Sequence, residues 1–212
     1  MCSSSTNQKW ETSKQKLNGK EITSLHTSSK FTKWFNSIRW LKSKSWIIEL
    51  KNLNIIQVVQ YKKSKININD IKIENLEIPT QSSNVKSNKE TRILWSAPRT
   101  WLITSNNDKI KNEIEKNFDD ENFAITDISH SKTVVQIKGL NSREVLKKGC
   151  PLNINDLKKN NCAGSVFHGI SIIVDCIDNE PDCFNFLTLR SFGESFYHHI
   201  TDAALEFGYV GV

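Results

Sequence analysis

The first 29 positions hold few large apolar residues and are mostly Ser, Thr, Lys, Asn and Gln. Such a stretch cannot offset its ordering entropy by burial, so it is expected to stay disordered or to order on a partner. The pattern then changes. Phe31, Trp34, Phe35, Ile38 and Leu41 recur at three-and-four spacing, with Lys30, Lys33, Arg39 and Lys42 on the remaining surface, which predicts an amphipathic helix over 31–42. Its apolar face could pack on the chain's own body, dock on a partner subunit or lie on an anionic membrane surface.

From Trp46 the apolar residues are β-branched and closely spaced. WIIEL and IIQVVQYK, separated by the polar Lys51–Asn54, predict a first hairpin. INDIKIENLEIP reads as a short helix or strand ending at Pro79, and QSSNVKSNKET reads as an exposed loop. RILWSAPRTWLIT predicts two strands turning at Pro98, which has no N–H to give a ladder. Asn106, Asn107 and Asp108 offer caps to a helix carrying Ile110, Ile114 and Phe118. FAITDIS and KTVVQIKG follow as strands, the second apolar on both faces, as when both are covered.

NSREVLKKGCP is punctuated as a helix: Asn141 and Glu144 form a capping-box pattern, and Gly149 and Pro151 end it. CAGSVFHG, ISIIVDCID and CFNFLTLR predict three more strands. Ser191 and Glu194 repeat the capping pattern before the stripe Phe192, Phe196, Ile200, Ala203 or Ala204 and Phe207, a helix of about 27 Å. The order β-α-β-β-α-β-β-β-α predicts an α+β domain over 46–212, with helices packed on one face of a mixed, mostly antiparallel sheet. Residues 1–45 form a separate basic extension.

Charge sharpens that division. The net +6 resides in the head: residues 1–46 carry nine Lys/Arg against two Glu, leaving 20 cations against 21 anions in the rest. Only five of the 29 cations are arginine, so the arginine forks of a nucleic-acid surface are largely missing, and no nucleic-acid partner is expected. No run reaches the roughly 18 apolar residues of a membrane span, and the amino terminus lacks a signal-peptide core, so a cytoplasmic location is expected. Cys2, Cys150, Cys162, Cys176 and Cys183 are odd in number and include no Cys-x-x-Cys, which points to reduced, buried thiols.

Candidate chemistry is sparse. Dinucleotide, Walker-type and His-Glu-x-x-His motifs are absent. His26 falls in the head. Asp127, Ser129 and His130 gather the residue types of a catalytic triad, but triads assemble in space rather than from immediate neighbours, so a strand-to-strand turn is expected. His168 precedes Gly169 in a hairpin turn, and a metal role with Cys162 would need two further ligands. His198 and His199 are adjacent on a helix, point about 100° apart and cannot chelate one ion together. Arg190, at a strand end, is expected to pair with a carboxylate of the fold or with a partner chain. Trp95 and Trp101 are expected to divide between core and interface. No catalytic, cofactor-binding or metal-binding residue is assigned.

Three stretches carry a resemblance: ILWSAPRTWLI, ITDISHSKTVVQIKGLNSREVLKKGCPLNIN and FLTLRSFGESFYHHITDAALEFG. Their marks are Trp95-x-x-Pro98-x-x-Trp101-Leu102, Asp127-x-Ser129-His130, Lys148-Gly149-Cys150-Pro151-Leu152 and Arg190-Ser191-Phe192. Over roughly Trp46 to Gly208 the chain resembles the gamma subunit of heterotetrameric sarcosine oxidase. The resemblance implies a fold similar to the folate-binding domain of aminomethyltransferases and a non-catalytic role in assembly and support. It implies alpha, beta and delta subunits as partners, and a complex that oxidises sarcosine to glycine, passes the one-carbon unit to tetrahydrofolate and forms hydrogen peroxide. FAD, FMN, NAD, tetrahydrofolate and zinc are then expected in the other subunits, and none in this chain. Two further readings stay open: a gamma-like subunit of an N-methylglutamate dehydrogenase, and a stand-alone folate-binding module, although the transferase's Asn-x-x-Thr-x-x-x-Asp segment is missing.

Overall fold

The computed structural model describes residues 45–211; the basic extension and its predicted helix over 31–42 lie outside them. The described residues form two stacked sheets with helices on both outer faces. The first sheet has the order β10-β11-β12-β9-β1-β13 and the second β5-β6-β7-β2-β8. In the first, β1 (Ser45–Leu50), β9 (Lys132–Lys138), β10 (Cys162–Phe167), β11 (Ile170–Asn179) and β12 (Asp182–Leu189) are antiparallel; only β13 (Tyr209–Gly211) runs parallel, to β1. The second comprises β2 (Asn54–Gln60), β5 (Val85–Ser87), β6 (Thr91–Ala97), β7 (Thr100–Ser105) and β8 (Phe123–Asp127), all antiparallel.

The α+β class and the predominantly antiparallel pairing hold, with two sheets in place of one. The expected first hairpin does not form: β1 pairs with β9 and β13, while β2 joins the other sheet beside β7 and β8. The Lys51–Leu53 link, with Asn52 at φ 57°, is a crossover between sheets. Neighbouring β runs in sequence carry no label of which layer each will join. The stretch read as an exposed loop contains β5, and Val85 is buried between the sheets. INDIKIENLEIP forms a 3-10 turn (Ile68–Asp70) and a small hairpin of β3 (Lys72–Ile73) and β4 (Leu76–Glu77).

Strand alternation sorts side chains into three layers. Val134 of β9, Leu187 of β12 and Ile55 of β2 meet between the sheets. Val135 and Ile137, Phe184 and Phe186 point the other way, onto α2 (Ser142–Lys147) and α3 (Gly193–Ala204). On the far side, Ile56 and Val58, Trp101 and Ile103 pack on α1 (Ile110–Asn117), whose Ile110 and Ile114 are fully buried and whose C-cap Phe118 continues the stripe. Asn107 closes the turn that leads into α1 by accepting the Lys109 N–H at 3.0 Å, while the N-cap Lys109 makes no side-chain cap bond.

The two predicted capping boxes are absent: neither Asn141 nor the residue before Gly193 makes a side-chain cap bond. α3 is preceded by a 3-10 turn (Arg190–Phe192), so Ser191 lies within a turn rather than at a helix start. Its 12 residues span about 18 Å, shorter than expected.

One charged pair crosses the layer between the sheets. Arg92 on β6 donates through Nε and Nη2 to the two carboxylate oxygens of Asp175 on β11, each at 2.7 Å. The Asp175 side chain is 1% exposed and that of Arg92 16%. Burial pushes the Asp175 carboxyl up, and the Arg92 fork counters it. Breaking such a pair strands a charge. Arg92→Ala should destabilise the domain by about 3–5 kcal/mol in denaturant unfolding, whereas the apolar double replacement Arg92→Met/Asp175→Leu should lie much nearer the parent.

Candidate functional site

Two of the signature stretches, Asp127-x-Ser129-His130 and Arg190-Ser191-Phe192, meet at the end of the first sheet, where the chain passes from one sheet to the other. The turn from β8 to β9 is such a crossover, and the Lys51–Leu53 link is its neighbour. Asp127 Oδ1 accepts from the Ser129 N–H at 2.9 Å and from Ser129 Oγ at 2.6 Å. Ser129 Oγ in turn accepts the Ile55 N–H at 2.9 Å, and the Ile128 N–H reaches the Ile55 carbonyl at 2.9 Å. The carboxylate and hydroxyl thus secure the start of β2 against the crossover. His130 is exposed beside them, and Ser129 Oγ makes its bonds to Asp127 and the main chain.

Arg190 closes the corner from the other side. Its Nε donates to the His130 carbonyl at 2.9 Å, its Nη2 to the Lys132 carbonyl at 2.8 Å, and its N–H to the Ser131 carbonyl at 2.9 Å. This corrects the expected carboxylate partner: the guanidinium satisfies carbonyls that a turning strand leaves without a ladder. Two clefts open beside it. One of about 310 Å³ is lined by Lys51, Asn52, His130, Lys132 and Arg190; the other, about 360 Å³, by Val135, Gly193, Glu194 and Tyr197. Glu49, Thr133 and Arg190 belong to both, with Thr133 Oγ1 donating to Glu49 at 3.3 Å.

A second junction joins the end of α2 to the β10–β11 hairpin. His168 (φ 46°) and Gly169 (φ 84°) form the predicted two-residue turn, and the His168 N–H reaches the Gly149 carbonyl at 3.0 Å. A Cβ at Gly149 would lie 2.7 Å from the His168 ring and 2.9 Å from the buried Phe167 ring, so glycine is required by close approach. The His168 and His199 rings stand 5.1 Å apart between centroids. His198 is exposed, 3.8 Å from Glu194.

The cysteines Cys150, Cys162, Cys176 and Cys183 are free and buried, as expected. Burial pushes the Cys162 thiol up to about 12 and Cys176 to about 11, which keeps both protonated. Among the described residues no group of three His, Cys, Asp or Glu is placed to hold a metal, and Cys162 lies against the Trp95 carbonyl at 3.1 Å. Trp101 is buried, its indole N–H donating to the Pro79 carbonyl at 2.7 Å; Trp95, directly across from it, is half-buried against the same core. Among the described residues no helix is long and apolar enough to cross a membrane.

The family model described as sarcosine oxidase, gamma subunit family matches residues 68–206. The chain belongs to that family. The matched span includes both the crossover turn and the strand-to-helix junction that Arg190 pins together. No curated protein sequence matches the chain. Among solved structures it is similar to one of heterotetrameric sarcosine oxidase from Corynebacterium sp. U-96 in complex with pyrrole 2-carboxylate, with a TM-score of 0.71 and 19% identity over 81% of this chain and 89% of that one. It is also similar to the glycine cleavage system aminomethyltransferase T from Bartonella henselae, with a TM-score of 0.60 and 10% identity; the match covers 82% of this chain and 49% of the transferase, so the gamma-family chain spans about half its length. At these identities the likeness shows a shared fold, aminomethyltransferase-like in architecture.

Sequence reasoning found a turn at Asp127, Ser129 and His130 and a helix end at Gly149, but not that the turn passes between sheets or that Gly149 is packed against His168 and Phe167; it missed Arg92, Asp175 and Glu49, single charges in strands whose partners lie far away along the chain. Gly149→Ala should cost about 1–3 kcal/mol in thermal or denaturant unfolding, because Phe167 has no room to yield.

The Asp127 carboxyl is held well below the usual carboxylate range, first by the Lys111 ammonium that bonds it and then by the two Ser129 bonds. A depressed folded-state value stabilises the fold above the unfolded value of about 4 and is lost as pH falls through the folded one. Asp127 is partly exposed, so the effect is small. Unfolding curves of Asp127→Asn should lie below the parent near neutral pH and converge with it in strong acid.

Proposed function

We propose that this chain is a non-catalytic gamma subunit serving assembly and support in a heterotetrameric, flavin-dependent sarcosine oxidase. The observation that carries the reading is the family match over residues 68–206. The bonding at the signature corner supports it, since Asp127 and Ser129 hold the crossover and Arg190 is engaged with the His130, Ser131 and Lys132 carbonyls. The complex oxidises sarcosine to glycine at a flavin of the other subunits, with the one-carbon unit passing to tetrahydrofolate and hydrogen peroxide formed. Alpha, beta and delta subunits are the partners, NAD and zinc belong to them, and the complex is cytoplasmic. Residues 1–45 form a basic extension to a gamma-like domain over 46–212.

The likeness to an aminomethyltransferase favours one rival, a folate-binding module. Coexpression with the neighbouring subunits, followed by an assay of amine-dependent peroxide formation, separates the readings. Leaving this chain out should cost assembly. His130→Ala within the complex should leave turnover per flavin unchanged, whereas loss of a general base would lower it roughly a hundred- to ten-thousand-fold. Micromolar or tighter binding of tetrahydrofolate to the purified chain in calorimetry would overturn the reading in favour of the rival.

A further inference from the structure

We infer that the Arg190 corner is the surface on which a partner subunit docks, and that it receives a segment combining an apolar anchor with acidic side chains. The inference rests on the subunit reading above and supplies the chemistry of the contact.

Large apolar residues are exposed here without a core to join. Phe192 is 47% exposed and Leu189 43%. Leu189 lies directly across from Lys132, which lines the first cleft, and Phe192 immediately precedes Gly193, which lines the second. Leu189 and Phe192 thus adjoin, across the ladder and along the chain, residues that line the two clefts meeting at Arg190. An aromatic, an aliphatic and an arginine around a concavity form the composition in which association energy concentrates.

The corner is also fixed in advance. The Asp127, Ser129 and Ile55 bonds hold one crossover, and Arg190 holds the turn into β9 to the start of α3. A surface already rigid loses little further freedom on binding. Charge selects the occupant. Lys51, Lys132 and Arg190 line the first cleft against one carboxylate, Glu49, and neither lysine forms an ion pair among the described residues. Their unpaired charge favours acidic side chains, which would also speed encounter at low salt.

Three variants test this in the coexpressed complex: Phe192→Asp, the reversal Lys51→Glu/Lys132→Glu, and Leu205→Ser. The last is a control, exposed by 64% at the far end of α3. Thermal unfolding of each purified chain checks that it folds. Phe192→Asp and the reversal should each lower the amount of this chain retained with its partners by roughly tenfold or more, the reversal more strongly at low salt, while Leu205→Ser leaves retention at the parent level. Parent-like retention of folded Phe192→Asp and of the reversal, with the parent chain bound, overturns the docking surface and leaves the subunit reading intact. Failure of the parent chain to copurify overturns the subunit reading and the proposal with it. A parent homodimer that Phe192→Asp dissociates would instead make a second copy the occupant and overturn the partner assigned here.

Discussion

Asp175 puts a carboxylate where two sheets exclude water, and the arrangement holds only because Arg92 reaches it from the opposite sheet with both arms of its fork. A bidentate pair tolerates little sliding or rotation, so it fixes how the sheets lie on each other in a way that the apolar residues around it do not. Asn160, in a left-handed conformation, supports the same seam: its main chain bonds Val85 of β5 and Cys176 of β11, and its side chain bonds Ser87 and Arg92. Replacing a buried pair with apolar groups often costs little, so its contribution here is register between layers more than strength.

The corner at the other end of the sandwich follows from the same architecture. A chain that leaves one sheet for the other abandons its ladder, and its amides and carbonyls then need partners. At the β8–β9 crossover Asp127 and Ser129 supply acceptors, and Arg190 supplies donors. Residue types that suggest a triad in sequence are engaged in closing a turn. The adjacent crossover at Lys51–Leu53 leaves its charge unspent, so one side of the corner faces outward with a cationic rim.

Local signals in the sequence were faithful where local physics decides. Ile110, Ile114 and Phe118 recorded α1, Pro98 the turn between β6 and β7, and His168-Gly169 the turn between β10 and β11. The apolar density of β9 anticipated cover on both faces. Layer assignment was not legible: β1 and β2 resemble successive strands of a hairpin but part at Asn52, because their partners come from distant segments. Asn141 with Glu144 and Ser191 with Glu194 match a capping pattern, but Asn141 makes no side-chain cap bond and Ser191 falls in the 3-10 turn before α3. Arg92 and Asp175, 83 positions apart, carry no mark of each other in a single sequence.

The first sheet is completed by the first and last described strands, with Ser45 beside Tyr209 and the Ser45 N–H on the Gly208 carbonyl. During synthesis β1 emerges long before either of its neighbours, β9 or β13. It must wait with both edges open, and pairing so distant in sequence closes slowly because the loop entropy is lost before the contact forms. Ile47, wholly buried in the finished domain, is exposed throughout that interval. Until α3 and β13 have emerged, the open edge of β1 and its apolar side chains are the part of the nascent chain most exposed to aggregation.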